Sequence, residues 1–234
     1  MKFLKIIFDF IAPKKCYSCK KEGHFICNDC FSKIYDFEEI CYVCKKYSKN
    51  FEVHKNCREE NNIFYDKILV LKHYKNSLVQ RLIKDGKFYG KKEILEEFSF
   101  FMYEKFIENE KIRKLDDFLV ISIPSYFLRK WKRGYNSSEI LSKSFANISK
   151  IKYEKNVLKK IKQTKQQSKL NRKERLENLK NSFIINEIFL EKIKNKKILI
   201  IDDVISTGST LNEVSSILKQ NGVEKIIGII IASD

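Results

Sequence analysis

Two groups of residues in this chain have the types and spacing for chemistry. The first is Asp202 and Asp203 followed by Ser206, Thr207, Gly208, Ser209 and Thr210, within the stretch ILIIDDVISTGSTL. Small hydroxylated residues around a glycine leave backbone N–H groups open to an anion, and neighbouring carboxylates accept hydrogen bonds from vicinal hydroxyls. A sugar phosphate meets both requirements. The second group is Cys16-x2-Cys19, Cys27-x2-Cys30, Cys41-x2-Cys44 and His54-x2-Cys57. Eight N/S ligands are what two tetrahedral Zn²⁺ sites need, and C-x2-C is the usual half-site.

For the cysteines, disulfides are the competing chemistry. An odd count of seven, the close spacing and the lack of a secretory signal count against them. Sequential pairing puts Cys16, Cys19, Cys27 and Cys30 on one ion and Cys41, Cys44, His54 and Cys57 on the other, with Gly23 turning the first hairpin. Interleaved pairing is the alternative. So is a single-zinc module in which His54 lies on the surface and Cys57 is spare.

The acidic pair and its loop need a strand before them and a helix after them. Ile198–Ile201 is an unbroken apolar run, the signature of a parallel strand buried on both faces. Thr210 with Glu213 three residues on reads as a capping box that starts a helix. Leu211, Val214, Ile217 and Leu218 then keep one apolar face, and Asn221-Gly222 supplies a left-handed cap. The loop therefore falls between the carboxyl end of a strand and a helix N-terminus, where open α/β sheets bind ligands. A Walker-type reading of the acidic pair fails for want of a P-loop: the glycines of Gly86–Lys91 are too close together, and Lys92 stands where Ser or Thr is required.

Upstream, the polar run Arg58–Asn62 reads as the boundary between an N-terminal unit, residues 1–62, and a larger one, residues 63–234. Ile63–Leu71 and Asp117–Ile123 read as strands, and Asn76–Lys84, Lys87–Ile107 and Glu139–Ile148 as helices. Strand–helix–strand follows over Lys197–Ala232. Strands alternating with helices predict an α/β fold with a mostly parallel sheet and flanking helices.

At 234 residues the chain can bury one substantial core plus a small accessory module. The formal charge of +17 favours an anionic partner. With only 7 Gly and 2 Pro beside abundant Lys, Asn, Ile and Phe, part of that charge reflects AT-rich codon usage. Two basic stretches stand out from this background. Arg129, Lys130, Lys132 and Arg133 lie beside Trp131 and Tyr135, a mixture suited to a pyrophosphate or to single-stranded nucleic acid. Over Ile151–Lys180, nine Lys and two Arg against three Glu leave +8, and Arg172 and Arg175 are its phosphate candidates. A solvated cationic surface is the alternative for both stretches. Met1–Pro13 reads as an amphipathic helix stopped by Pro13. It is too short to span a bilayer and has no clean cleavage site, so a cytoplasmic protein with peripheral contact to the inner membrane is expected.

The motifs also carry a resemblance. Ile198–Thr210 resembles the phosphoribosyl pyrophosphate (PRPP) signature of type I phosphoribosyltransferases. That likeness implies ribose hydroxyls on Asp202 and Asp203, the 5′-phosphate in Ser206–Thr210, and Mg²⁺ bound with PRPP. The order of four metal knuckles, Ile123-Pro124-x7-Lys132-Arg133-Gly134-Tyr135-Asn136, Thr164-x2-Gln167-x2-Leu170-x4-Arg175-x2-Asn178 and the PRPP signature is similar to the ComF (ComFC) competence family over almost the whole chain. It implies a Rossmann-like type I phosphoribosyltransferase fold behind a double zinc ribbon, and a role with single-stranded DNA and the DNA-uptake machinery in natural transformation. An active phosphoribosyltransferase with an unidentified acceptor, or a zinc-ribbon adaptor with a degenerate pocket, are the other functions compatible with it. The chain departs from the family pattern at His54, where Cys is usual, at Ser206, where Thr is common, and at Tyr135, where Phe is common. The first departure bears on the second zinc site.

Overall fold

A computed structural model describes residues 13–110, 115, 117–125, 134–162 and 182–234. Five parallel strands form the central sheet: β1 (Lys67–His73), β2 (Phe118–Ser122), β3 (Lys152–Tyr153), β6 (Lys197–Ile205) and β7 (Lys225–Ser233). They lie in the order β1-β7-β6-β2-β3, so the last strand separates the first from the rest. The middle of β6 and nearly all of β7 are buried, which is why both read as continuous Ile-rich runs rather than alternating ones. The α/β fold with a mostly parallel sheet is as expected.

The elements around the sheet are set by local chemistry. Asn76 caps α3 (Ser77–Phe88), its side chain accepting from the Leu78 and Val79 N–H groups at 3.1 Å each. α3 runs past the expected Lys84, and the next helix, α4 (Lys92–Glu110), starts later than the expected Lys87. The break falls at Gly90, whose φ of +74° is cheap only for glycine. α5 (Ser137–Ser149) packs on α4 and on β6, with Phe106 of α4 set edge-on against Phe118 at 5.6 Å and Phe145 at 5.8 Å. A β4–β5 hairpin (Leu158–Lys160 with Phe183–Ile185) and the short helix α6 (Leu190–Ile193) precede β6.

The strand expected over Ile63–Leu71 begins at Lys67 and runs to His73. The polar run read as the boundary, Arg58–Asn62, falls mostly in the helix α2 (Lys55–Asn61), which carries Cys57 and ends on Asn62 with φ +51°. The cysteine-rich head packs directly on the sheet layer. Phe31, in the short helix α1 (Asn28–Ser32), stacks on Phe101 at 3.7 Å between centroids and meets Phe98 edge-on. Lys72 of β1, almost fully buried, donates to the Ile34 carbonyl at 2.6 Å and pairs with Asp36 at 2.7 Å. Glu97 of α4 accepts the Phe25 and Ile26 N–H groups at 2.8 and 3.2 Å. Among the described residues no helix is long and apolar enough to cross a membrane. Residues 1–12, including most of the expected amphipathic helix, lie outside the described residues.

Candidate functional site

The acidic pair sits on β6, but the strand does not stop there. Asp202 pairs with Ile230, Val204 with Ala232 and Ile205 with Ser233, so β7 carries the strand beyond the run expected to end at the acids. Successive residues of a strand face opposite sides, and the two carboxylates are separated accordingly. Asp203 is only 4% exposed. Its Oδ1 accepts from Lys87 Nζ at 2.8 Å and from the Val204 N–H at 2.7 Å, and its Oδ2 accepts from Ser137 Oγ at 2.5 Å. Burial pushes the Asp203 carboxyl up, but the Lys87 charge and these hydrogen bonds outweigh it and hold the group below the ordinary carboxylate range.

Asp202 has the opposite environment. Its Oδ1 accepts the Asp203 N–H at 2.9 Å, and the carboxyl has no other hydrogen-bond partner among the described residues. Burial first, and then the neighbouring Asp203 charge, push it up to about 7. Asp202 lines a small cavity, about 40 Å³, together with Ser206, Gly208, Ser209, Thr210 and Leu211. One acid is therefore committed to holding three segments together, and the other is open to the cleft.

The loop between β6 and α7 (Ser209–Gln220) is held from both sides. Gly208 has φ +75°, and a Cβ there would lie 3.2 Å from Tyr65 Oη and 3.6 Å from the Tyr42 ring. Both conformation and space thus favour glycine. α7 starts at Ser209, so Thr210 lies inside the first turn and the expected Thr210–Glu213 capping box is not the start of the helix. The left-handed glycine turn begins it two residues earlier, with Gly208 and not Thr210 at the cap. At the other end Val223 N–H reaches the Leu218 carbonyl and Gly222 N–H the Lys219 carbonyl, closing a Schellman cap with Gly222 at φ +81°. Gly228 of β7 lets the helix approach the sheet, since a Cβ there would fall 2.8 Å from Leu211 Cδ2. The first-turn N–H groups of a twelve-residue helix, met by this loop, can bind an anion beside the open Asp202 carboxyl.

The head brings its ligands together as two groups, Cys16/Cys19/Cys27/Cys30 and Cys41/Cys44/His54/Cys57, the ligand atoms of each lying within 4.8 Å of one another. This is the sequential arrangement, and all seven cysteines are free thiols. With Zn–S near 2.3 Å and Zn–N near 2.0–2.1 Å, a tetrahedral site has S···S edges of about 3.8 Å and S···N edges of about 3.5 Å. Cys19 Sγ and Cys27 Sγ are 3.7 Å apart, and Cys44 Sγ and His54 Nδ1 are 3.4 Å apart. Both groups could hold zinc, His54 included.

Three residues at this site escaped the sequence reading. Lys87 and Ser137 reach Asp203 from 116 and 66 positions away, a distance in sequence over which no spacing rule operates. Tyr42 lies inside a knuckle and bonds the Ser206 carbonyl; its recurrence as Cys-Tyr-x-Cys in both the first and third knuckles was a readable signal. Tyr135 donates to the Gly86 carbonyl at 2.5 Å and ties the approach to α5 onto α3. Arg129, Lys130, Lys132 and Arg133, and Arg172 and Arg175, lie outside the described residues.

Two measurements test this geometry. Lys87→Met leaves a buried carboxylate without its cation, so unfolding at neutral pH should need about 3 kcal/mol less. Because the Asp203 carboxyl is held low in the folded protein, its contribution is present above the unfolded-state value and fades as pH falls. Denaturant titrations of the two proteins should therefore converge towards acid pH. Metal analysis of the native protein should give two zinc ions per chain, falling towards one in His54→Ala.

Comparison with known proteins agrees with this architecture. The phosphoribosyl transferase domain family matches residues 133–234, which span α5, β6, α7 and β7. Competence protein F of Haemophilus influenzae is 30% identical over 218 residues, covering 91% of this chain and 93% of that protein. Competence protein ComFC of Streptococcus pneumoniae is 26% identical over 211 residues, covering 88% and 87%. DNA utilization protein YhgH of Salmonella typhi is 29% identical over 107 residues, covering 46% of this chain and 45% of that one. With its cysteine-rich head and phosphoribosyl transferase domain together inside the nearly full-length match, the chain belongs to the competence protein F (ComF) family.

Proposed function

We propose that this protein binds PRPP, or a closely related ribose phosphate, in the cavity between Asp202 and the Ser206–Thr210 loop, and handles single-stranded DNA on the cytoplasmic side during DNA uptake. One observation carries the first half: an open carboxylate and the N-terminus of a twelve-residue helix line the same cavity. The 5′-phosphate sits on the loop formed by Ser206, Thr207, Gly208, Ser209 and Thr210. The ribose hydroxyls donate to Asp202, while Asp203 keeps the strand end in register through Lys87 and Ser137. The Asp202 carboxyl, with its oxygens uncommitted to other side chains, also fits a hard cation. Mg²⁺ arriving with PRPP would neutralise the pyrophosphate, and Arg129, Lys130, Lys132, Arg133, Arg172 and Arg175 are the cations proposed to share that load.

The DNA half rests on charge, on the relatives' names and on the head's surface. Tyr47 is 72% exposed and sits among Lys45, Lys46 and Lys49 beside the second metal group. An exposed ring among cations can stack a base while the lysines neutralise phosphates. The two metal groups give this surface a rigid support.

Calorimetry with PRPP and Mg²⁺ should show binding that Asp202→Ala abolishes; absence of heat with the native protein would sink the reading. The ionised carboxyl is the stronger acceptor for the ribose hydroxyls and the form that holds a hard cation, so protonation of Asp202 opposes PRPP binding below about pH 7. Affinity should fall about tenfold from pH 8 to pH 6, and this drop, corrected for PRPP's own ionisation, should vanish in Asp202→Asn. Anisotropy of labelled single-stranded DNA against salt should give a steep negative slope. Removing a cation that meets a phosphate, by Lys46→Ala, Lys49→Ala or Arg133→Ala, should flatten the slope by about one. Which of these variants does so identifies the module that meets DNA.

A further inference from the structure

The two metal groups are each anchored to the sheet layer by a tyrosine in the same place, the residue after the first cysteine of a Cys-Tyr-x-Cys knuckle. Tyr17 Oη donates to Asp85 of α3 at 2.6 Å and accepts from Lys91 at 2.8 Å. Tyr42, only 4% exposed, reaches the phosphate loop instead. Its hydroxyl donates to the Ser206 carbonyl at 3.0 Å and shares a 2.7 Å hydrogen bond with Ser233 Oγ at the end of β7. Its ring lies within van der Waals range of a Cβ at Gly208, at 3.6 Å. An open space of about 330 Å³ beside this contact is lined by Tyr42, Val43 and Lys45 of the knuckle and by Thr207 and Ser209 of the loop, so the Tyr42 hydroxyl bridges the two along its edge.

A planar trans peptide points its C=O and N–H in opposite directions. No peptide bond among the described residues is cis. By holding the Ser206 carbonyl, Tyr42 therefore fixes the following Thr207 N–H facing away from itself. The same ring packs close to Gly208, the left-handed residue that opens α7: a Cβ there would be 3.6 Å from it. The knuckle that carries Tyr42 is in turn shaped around Cys41 and Cys44, with the Lys45 and Cys41 N–H groups turning back on the Cys41 and Lys46 carbonyls at 2.9 Å.

We infer that Tyr42 is a positioning residue through which the second metal group, Cys41/Cys44/His54/Cys57, sets the conformation of the phosphate loop, so that zinc at this group and phosphate at the loop bind with positive coupling. The loop-setting part stands on geometry alone; the ligand part rests on the reading that the loop takes the 5′-phosphate of PRPP. Coupling between two sites is reciprocal: if zinc tightens PRPP, PRPP must tighten zinc by the same factor.

The test compares native protein, Tyr42→Phe and Tyr17→Phe, the last removing the matching hydroxyl from the first group. All three should hold the same zinc. Hydrogen exchange at the amides of residues 206–210 should quicken in Tyr42→Phe alone, with β2 and the buried part of β6 unchanged. PRPP affinity should fall about tenfold in Tyr42→Phe and stay within about twofold of native in Tyr17→Phe. In the native protein, saturating PRPP should slow chelator extraction of one zinc equivalent, a measurement that needs no variant and holds even if Tyr42→Phe folds poorly. Loop exchange and PRPP affinity equal to native in Tyr42→Phe would overturn the inference. So would PRPP that binds yet leaves zinc extraction unchanged. Quickened loop exchange in a protein that does not bind PRPP would instead overturn the ligand reading and leave the loop-setting role of Tyr42 standing.

Discussion

A carboxylate cannot stay charged in a protein interior without a cation and donors around it, and Asp203 imposes that constraint on the whole site. It draws Lys87 from the end of α3 and Ser137 from the start of α5 to one point on β6. The two helices converge there because the charge must be paired. Ser138, next to Ser137, donates to the Ile201 carbonyl at 2.5 Å, and its Oγ accepts the Ile123 N–H at 3.0 Å, so α5 also tethers the end of β2. With β6 held so firmly, Asp202 on its other face can be left open to the cleft. Its raised ionisation is the electrostatic cost of burial beside a fixed negative charge.

How much of this was legible follows from how far apart the interacting residues are. The buried strands were readable because a strand covered on both faces has no alternation to hide in, and β6 and β7 are rich in consecutive isoleucines. The grouping of the cysteines with His54 was readable because C-x2-C spacing is itself a geometric statement about one turn of chain. What failed were statements about ends. The Thr210–Glu213 spacing matches a capping box, but Gly208 can take φ +75° and start the helix earlier. The Arg58–Asn62 run, read as a boundary from its polarity, lies mostly in a helix that also carries a candidate metal ligand, Cys57. Composition reports solvent exposure there, and exposure does not distinguish a surface helix from a loop.

The partners of Asp203 were beyond such reading for another reason. Lys87 is one lysine in a chain with 47 Lys and Arg residues, and in this background a functional cation carries no compositional mark. Only the fold shows that Lys87 is 19% exposed on its side chain and faces a buried acid. The abundant surface lysines and this one differ by environment, not by type. The same holds in reverse for the net charge, which names a class of partner but not a surface.

The two knuckle tyrosines suggest how the head and the sheet layer are related. A zinc knuckle is a rigid turn whose shape is set by its ligands rather than by a core, so a side chain projecting from it is placed with little freedom. Tyr17 directs that rigidity onto α3, through Asp85, and onto Lys91; Tyr42 directs it onto the loop at the candidate site. Because Asp85 lies two residues before Lys87 on the same helix, the first anchor steadies the element that neutralises Asp203, while the second steadies the loop that would face the phosphate. Each cysteine group thus bears on a different half of the candidate site: the first on the acid side, through α3, and the second on the loop side, through Ser206. A head that merely decorated the sheet layer would have no reason to send one tyrosine from each group to two elements that meet at the same strand end.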